Sequence, residues 1–282
     1  MTIANVGGIR INYEVLGDRG PWVALSPGGR TGLINMKSMA TKLAAAGNRV
    51  LIHDRRNCGK SDVAIDGRQS EYEFWADDLY ELLCQLKATP AFIGGNSSGC
   101  RLSLLFALRY PKAVRALLLW RLSGGPFAVK RLAEKYYGEY IRAAKQGGMA
   151  TVCETEFFRE RIESNPTNRS RLMAMDPEHF IEVMSKWQEI FEQGVNMPVI
   201  GASEKDLRSI SVPTCIIPGN DQTHRREIGI AVHHLIPNSD LRELSGETQG
   251  RTVIPPREWA KEEDVAAVLI DFINRVGIRV ST

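Results

Sequence analysis

Histidine is scarce in this chain, and none follows His234. The five present are His53, His179, His224, His233 and His234, and none has H-x-H or H-E-x-x-H spacing, so no metal site is expected. Cysteine is also thin. Cys58, Cys84, Cys100, Cys153 and Cys215 form an odd, scattered set without a C-x-x-C pair, which reads as reduced thiols rather than a disulfide framework. No apolar run approaches the length of a bilayer crossing. Met1-Thr2-Ile3-Ala4-Asn5 has neither the charged nor the apolar region of a secretory signal, so a cytoplasmic protein is expected. Charge of one sign is missing too. With 36 basic and 33 acidic residues the net charge is +3, and no basic stripe is interleaved with aromatics. Neither nucleic acid nor a membrane is therefore expected as a partner. Gly28-Gly29 and the other glycines make no phosphate-binding loop, so no cofactor is expected.

What remains is an ordinary globular composition, 43% hydrophobic and 24% charged over 282 residues. That length suits one large α/β domain carrying an insertion, or two small ones. Ile9 to Val15 alternates as a strand, and Val23 to Leu25, Arg49 to His53, Ala91 to Ile93 and Val114 to Trp120 read as further strands. Between them, Met36 to Ala46, Tyr72 to Leu86 and Cys100 to Tyr110 have helical spacing. Alternation of this kind with short connections predicts a mostly parallel sheet covered by helices on both faces. Residues 123–206 lose the strand pattern. Lys130 to Lys145, Gly148 to Ile162 and Pro177 to Phe191 read there as amphipathic helices rich in Tyr, Phe, Met and Trp. The expectation is a core of residues 1–122 and 207–282 with a helical lid, 123–206, inserted after the sixth strand. The sheet resumes at Pro213 to Pro218, followed by helix Arg226 to His234, strand Asp240 to Leu244 and helix Glu263 to Val276.

The segment with the clearest chemistry is Gly95-Asn96-Ser97-Ser98-Gly99, which follows a short apolar strand and opens a helix. A G-x-S-x-G sequence in that context is a sharp turn that exposes a serine at the carboxyl end of a sheet. There the next backbone N–H can stabilise an oxyanion. Ser97 is thus a candidate nucleophile. A serine hydroxyl is almost never ionised at neutral pH, so it needs a base.

Several segments in order resemble one superfamily. Leu25-Ser26-Pro27-Gly28-Gly29, Asp54-Arg55-Arg56-Asn57-Cys58-Gly59-Lys60-Ser61, the Ser97 turn, Tyr110-Pro111, Val212-Pro213-Thr214 and Gly219-Asn220-Asp221 are similar to an α/β-hydrolase fold with a helical cap. The Gly-Asn-Ser variant most resembles the subgroup of meta-cleavage-product, carbon–carbon bond hydrolases. The resemblance implies Ser97 as nucleophile and Asp221 as triad acid, with an oxyanion hole from the N–H groups of Ser98 and Gly29. The family usually has His-Gly where this chain has Pro27-Gly28, and Arg30 beside that loop is a candidate partner for an acidic substrate.

The family also places a catalytic histidine after the last strand. In Leu244-Ser245-Gly246-Glu247-Thr248-Gln249-Gly250 the aligned residue is Gln249, which cannot accept a proton near neutral pH. Three explanations stand. His224, three residues beyond Asp221, takes the role; or Ser97 serves different chemistry, lyase- or decarboxylase-like, with Glu247 a base if burial raises its pKa. The third is a binding pseudoenzyme. In the lid, Tyr136, Tyr137, Phe157, Met173, Met184 and Trp187 suggest an apolar pocket, with Trp187 and Tyr137 as substrate contacts and Arg142 or Arg159 as carboxylate partners. The reading taken forward is a serine-dependent hydrolase of a small ester, lactone or carbon–carbon β-diketone-like substrate, with Ser97, Asp221 and His224 as an atypical triad. Exposed aromatics in the lid would suit a homodimer.

Overall fold

A computed structural model describes residues 2–279. Eight strands form one sheet in the order β1-β2-β4-β3-β5-β6-β7-β8. They are β1 (Thr2–Val6), β2 (Ile9–Leu16), β3 (Trp22–Ser26), β4 (Arg49–His53), β5 (Ala91–Asn96), β6 (Val114–Trp120), β7 (Thr214–Ile217) and β8 (Ser239–Leu241). β1 and β2 pair antiparallel, β2 runs antiparallel to β4, and all other pairings are parallel. Apart from the half-buried edge strand β8, the parallel strands are almost wholly buried, which is why they read as short apolar runs rather than as alternation.

Helices cover both faces. α1 (Lys37–Ala45) and the long C-terminal helix pack Leu43, Leu269 and Phe272 onto Leu25, Ile52 and Leu118 on one side. On the other side α2 (Glu71–Gln85) and α3 (Ser98–Arg109) bury Trp75, Leu79, Leu82 and Phe106 against Leu51, Ile93 and Leu117. A capping box fixes the start of α2: the Ser70 hydroxyl accepts from the Glu73 N–H and the Glu73 carboxylate accepts from the Ser70 N–H.

The chain leaves the sheet after β6 and builds a helical cap before β7. It comprises α4 (Gly125–Ala133), a π-turn at Glu134–Gly138, α5 (Glu139–Glu154), α6 (Glu156–Ser164), α7 (Thr167–Met173) and α8 (Pro177–Glu192). These helices bury a core of their own around Tyr137, Phe158, Phe180, Met184 and Trp187. α9 (Glu204–Ser209) returns the chain to β7, α10 (Arg226–Leu235) joins β7 to β8, and α11 (Pro256–Trp259) and α12 (Glu262–Arg279) close the fold.

Two expected elements differ. β1 is absent from the sequence reading: it is a mostly exposed edge strand joined to β2 through Gly7-Gly8, too short and too polar for an alternating pattern to stand out. The continuous helix expected over Gly148 to Ile162 is two. Thr155 is extended (φ −61°, ψ 146°) and ends α5, while Gly147 and Gly148 break that helix internally. At the carboxyl edge of the sheet the chain passes from β3 to β4 on one side and returns to β5 on the other. This strand-order switch opens a crevice there.

Candidate active site

The loop after β3 and the turn after β5 meet in that crevice. Ser97 takes φ 54° and ψ −111°, an unfavourable backbone for a residue with a side chain. Its neighbours make the turn feasible. A Cβ on Gly95 would stand 2.8 Å from the Gly99 Cα, and one on Gly99 would fall on the Ser26 carbonyl oxygen. Only glycine lets the turn sit this close to β3. The Ser97 N–H donates to the Trp120 carbonyl (3.1 Å), which ties the turn to the end of β6.

The partner of Ser97 comes from the loop after β7. The Ser97 Oγ lies 2.8 Å from His224 Nε2, and His224 Nδ1 lies 2.9 Å from Asp221 Oδ1. Asp221 is buried and heavily donated to. Oδ1 accepts from the N–H groups of Thr223 (2.9 Å) and His224 (2.8 Å), and Oδ2 from the Ile254 N–H (2.9 Å) and Arg121 Nη2 (2.9 Å). Burial alone would raise its pKa, but the His224 hydrogen bond and charge and these N–H donors outweigh it and hold the carboxyl well below the usual range. An ionised Oδ1 at 2.9 Å repels a lone pair, so Nδ1 carries the proton and Nε2 is left free to accept one from Ser97. Burial lowers the His224 pKa, Asp221 opposes this, and Arg121 and Arg131 add to it. The net shift is downward and favours the neutral imidazole.

At the candidate oxyanion hole, Ser98 is the first residue of α3, where backbone N–H groups have no intrahelical acceptor. On the facing loop the Gly28 carbonyl accepts from the Thr31 N–H (3.4 Å) and Oγ1 (2.9 Å), which directs the Gly29 N–H of the same peptide the opposite way. The Gly29 carbonyl accepts from Arg55 Nη2 (2.7 Å) and Ser98 Oγ (2.6 Å), locking the loop to the turn.

A cavity of about 1020 Å³ opens above these groups, lined by Ser97, His224, Gly28 and Gly29 from the core and by Tyr136, Tyr140 and Phe157 from the cap. Arg30 lines it too, with its guanidinium buried. Nη2 donates to Glu71 (2.6 Å) and the cation stacks on Tyr136, Tyr137 and Phe157.

The other expected contacts are elsewhere. Trp187 is buried in the cap core, its Nε1–H donating to the Gln69 carbonyl (2.9 Å), and the Tyr137 hydroxyl faces Glu71 (3.3 Å). Neither lines the cavity. The amphipathic helices place these rings inward, and their polar tips find partners in the core. Arg142 pairs with Glu134 on the surface, and Arg159 is exposed. Met173 is exposed as well. Glu247 is exposed, so the burial on which its role as an alternative base depended is absent. Gln249 lines a separate surface depression with Phe127 and Gln222, and its N–H donates to the Asn220 carbonyl (2.6 Å).

Two residues of the site were not singled out in the sequence. Arg121 directly follows β6 and reaches Asp221, while Glu71 opens α2 beneath Arg30. For Arg121 a cue existed: it occupies the carboxyl end of a buried strand beside the Ser97 turn, where an arginine has no packing reason to be.

The alpha/beta hydrolase fold family matches residues 23–123. 2-hydroxymuconate semialdehyde hydrolase of Pseudomonas putida is 30% identical over 226 residues, 77% of this chain and 73% of that one. The uncharacterized hydrolase YraK of Bacillus subtilis is 32% identical over 122 residues, 42% of this chain, so the match spans 44% of that relative's length. In structure, the enol-lactonase of Burkholderia xenovorans LB400 superposes with a TM-score of 0.64 at 20% identity, covering 97% of this chain and 100% of that one.

Proposed function

Since this chain belongs to the α/β-hydrolase superfamily, in the group of meta-cleavage-product hydrolases and esterases, we propose that it is a serine hydrolase whose base is His224. The substrate class is a small ester, a lactone or a carbon–carbon β-diketone-like compound. The observation that carries the reading is the continuous Ser97–His224–Asp221 hydrogen-bond chain, with the base on the same loop as the acid.

On this reading His224 Nε2 takes the Ser97 proton as Oγ attacks the substrate carbonyl. Asp221 holds the tautomer and stabilises the imidazolium that forms. The N–H groups of Ser98 and Gly29 receive the oxyanion, and His224 then protonates the leaving group. Water, activated by the same imidazole, releases the acyl product. The relatives support the substrate class: one is named for hydrolysis of 2-hydroxymuconate semialdehyde, and a structural neighbour is an enol-lactonase.

The test uses p-nitrophenyl acetate and butyrate, with fluorophosphonate labelling as a second readout. Ser97→Ala should lose labelling and at least about 10³-fold in kcat, and His224→Ala should lose a comparable factor. Serine-dependent turnover that persists in His224→Ala would overturn the assignment of the base.

A further inference from the structure

Arg121 is an unusual neighbour for a serine–histidine–aspartate chain. Its guanidinium is buried, and Nη2 donates both to Asp221 Oδ2 (2.9 Å) and to the Ile254 carbonyl (2.5 Å). The same nitrogen lies 3.4 Å from His224 Nδ1. Nδ1 already carries a proton toward Asp221, so this approach is a cation facing an N–H rather than a hydrogen bond. The backbone at Arg121 is also left-handed, φ 55°, and a side chain held there gains by what it binds. The cation stands over the Trp259 ring, 5.4 Å from its centroid. One side chain thus links the end of β6, the acid of the β7 loop and the backbone after β8.

Resting on the serine-hydrolase reading, we propose that Arg121 is a positioning residue that fixes Asp221 and holds down the basicity of His224. Asp221 alone would favour the imidazolium. A guanidinium on the same carboxylate offsets part of that attraction and faces the ring directly, so the charged form of His224 meets a like charge. The cavity that the ring lines also carries Glu156, Glu160 and Arg161 from the cap and Arg257 after β8. Asp221 is on its own loop, Arg131 on α4 acts in the same sense as Arg121, and Ser97 supplies only a neutral hydroxyl. Lys135 and Glu139 from the cap share the cavity with opposite signs. The result is a base that stays unprotonated, and hence competent, at lower pH than an ordinary imidazole, whose pKa is about 6.5.

Arg121→Met removes the charge and Arg121→Lys retains it, so the pair separates electrostatics from packing. With p-nitrophenyl acetate, the acid limb of kcat/KM should move up by roughly one pH unit or more in Arg121→Met. In Arg121→Lys it should stay near that of the unaltered protein even if kcat falls. A uniform loss of rate in Arg121→Met with the limb unmoved, or an equal shift in both variants, overturns the proposal. An NMR titration of the His224 ring in Ser97→Ala, with and without Arg121→Met, reads the same shift without turnover. The proposal is thereby tested even if the esterase assay fails. If Arg121→Met does not fold, Arg121→Gln keeps one amide NH2 as a donor, removes the charge and should give the same shift; its absence there is also overturning.

Discussion

For the candidate residues Ser97, Asp221 and His224 the sequence offers the side-chain types, and the contact between them comes from the fold. Ser97 was legible because G-x-S-x-G between strand and helix has a steric cause, now located at Gly95 and Gly99. Asp221 came from the family resemblance, which places the triad acid after this apolar strand. His224 was one of three open explanations, since nothing in a linear spacing says that an i, i+3 pair will curl onto a serine 127 residues away. Arg30 and Glu71 illustrate the limit. They are 41 positions apart, and only the packing of α2 under the β3 loop reveals that Arg30 has a carboxylate partner. Both side chains of this pair are buried, at 4% and 0% exposure, so removing one leaves an uncompensated charge. Glu71→Ala should therefore cost about 3 kcal/mol in urea denaturation. A loss below about 1 kcal/mol would mean that the stack of Tyr136, Tyr137 and Phe157 holds Arg30 without it.

Among elements, the buried parallel strands and the helices between them were readable because apolar runs and 3.6-residue periodicity survive without tertiary information. Edges and breaks were less so. β1 has little apolar signal, and α5 and α6 share one periodic pattern interrupted by a single extended residue, Thr155. Rings assigned to a ligand surface, Trp187 and Tyr137, serve the cap core, since an amphipathic stripe does not say which of its neighbours it faces. The β5–α3 junction is where an element-scale prediction is sharpest. In Gly95→Ala the new methyl must displace either Gly99 on α3 or the Ser26 backbone on β3. Overpacking of this kind costs about 1–3 kcal/mol, and here it also moves Ser97. A lowered urea midpoint with loss of fluorophosphonate labelling is expected. Labelling at the unaltered rate would show that the junction relaxes without moving Oγ.

Across the whole molecule, residues 60–71 form a main strap between core and cap, and Arg10 on β2 adds to it by donating to Asn165 and Thr167. Asp62 accepts from Arg10 on β2, from Arg171 on α7 and from Asn165. Asn168 bridges Val63 and Ser61, Lys186 reaches the Gly67 carbonyl, and Trp187 reaches Gln69. An Arg161 guanidinium N–H donates to the Arg30 carbonyl, so one strap also touches the loop that frames the candidate oxyanion hole. Burial raises the Asp62 pKa, but hydrogen bonds from Arg10 and Asn165 and the charge of Arg171 lower it further, for a net depression. Its contribution to stability is thus present above the unfolded carboxyl pKa of about 3.9 and is lost as pH falls through the folded value. Asp62→Ala should cost about 1–3 kcal/mol at pH 7, a range discounted because Arg10 and Arg171 are partly exposed, and the difference from the unaltered chain should vanish in acid. Thermal unfolding from pH 7 down to about pH 2 measures both; a difference that does not shrink as pH falls below the unfolded carboxyl value of about 3.9 would mean the loss is one of packing.

The three-residue spacing of Asp221 and His224 gives this chain a single adjustable joint. Where proton acceptor and counter-charge sit on separate loops, either can drift from the other. On the proposed assignment both ride on the loop after β7, so a displacement changes their distance to Ser97 while their mutual geometry travels intact. The stretch after β8 is correspondingly relieved of supplying a proton acceptor: it lends the backbone of Ile254 to Asp221 and Arg121, and the Trp259 ring to the Arg121 cation. Loop exchange between 243 and 250 should therefore be tolerated where it would silence a protein that keeps its histidine there. On the same assignment, Asp-x-x-His behind β7 stands in for the histidine that the family places beyond the last strand.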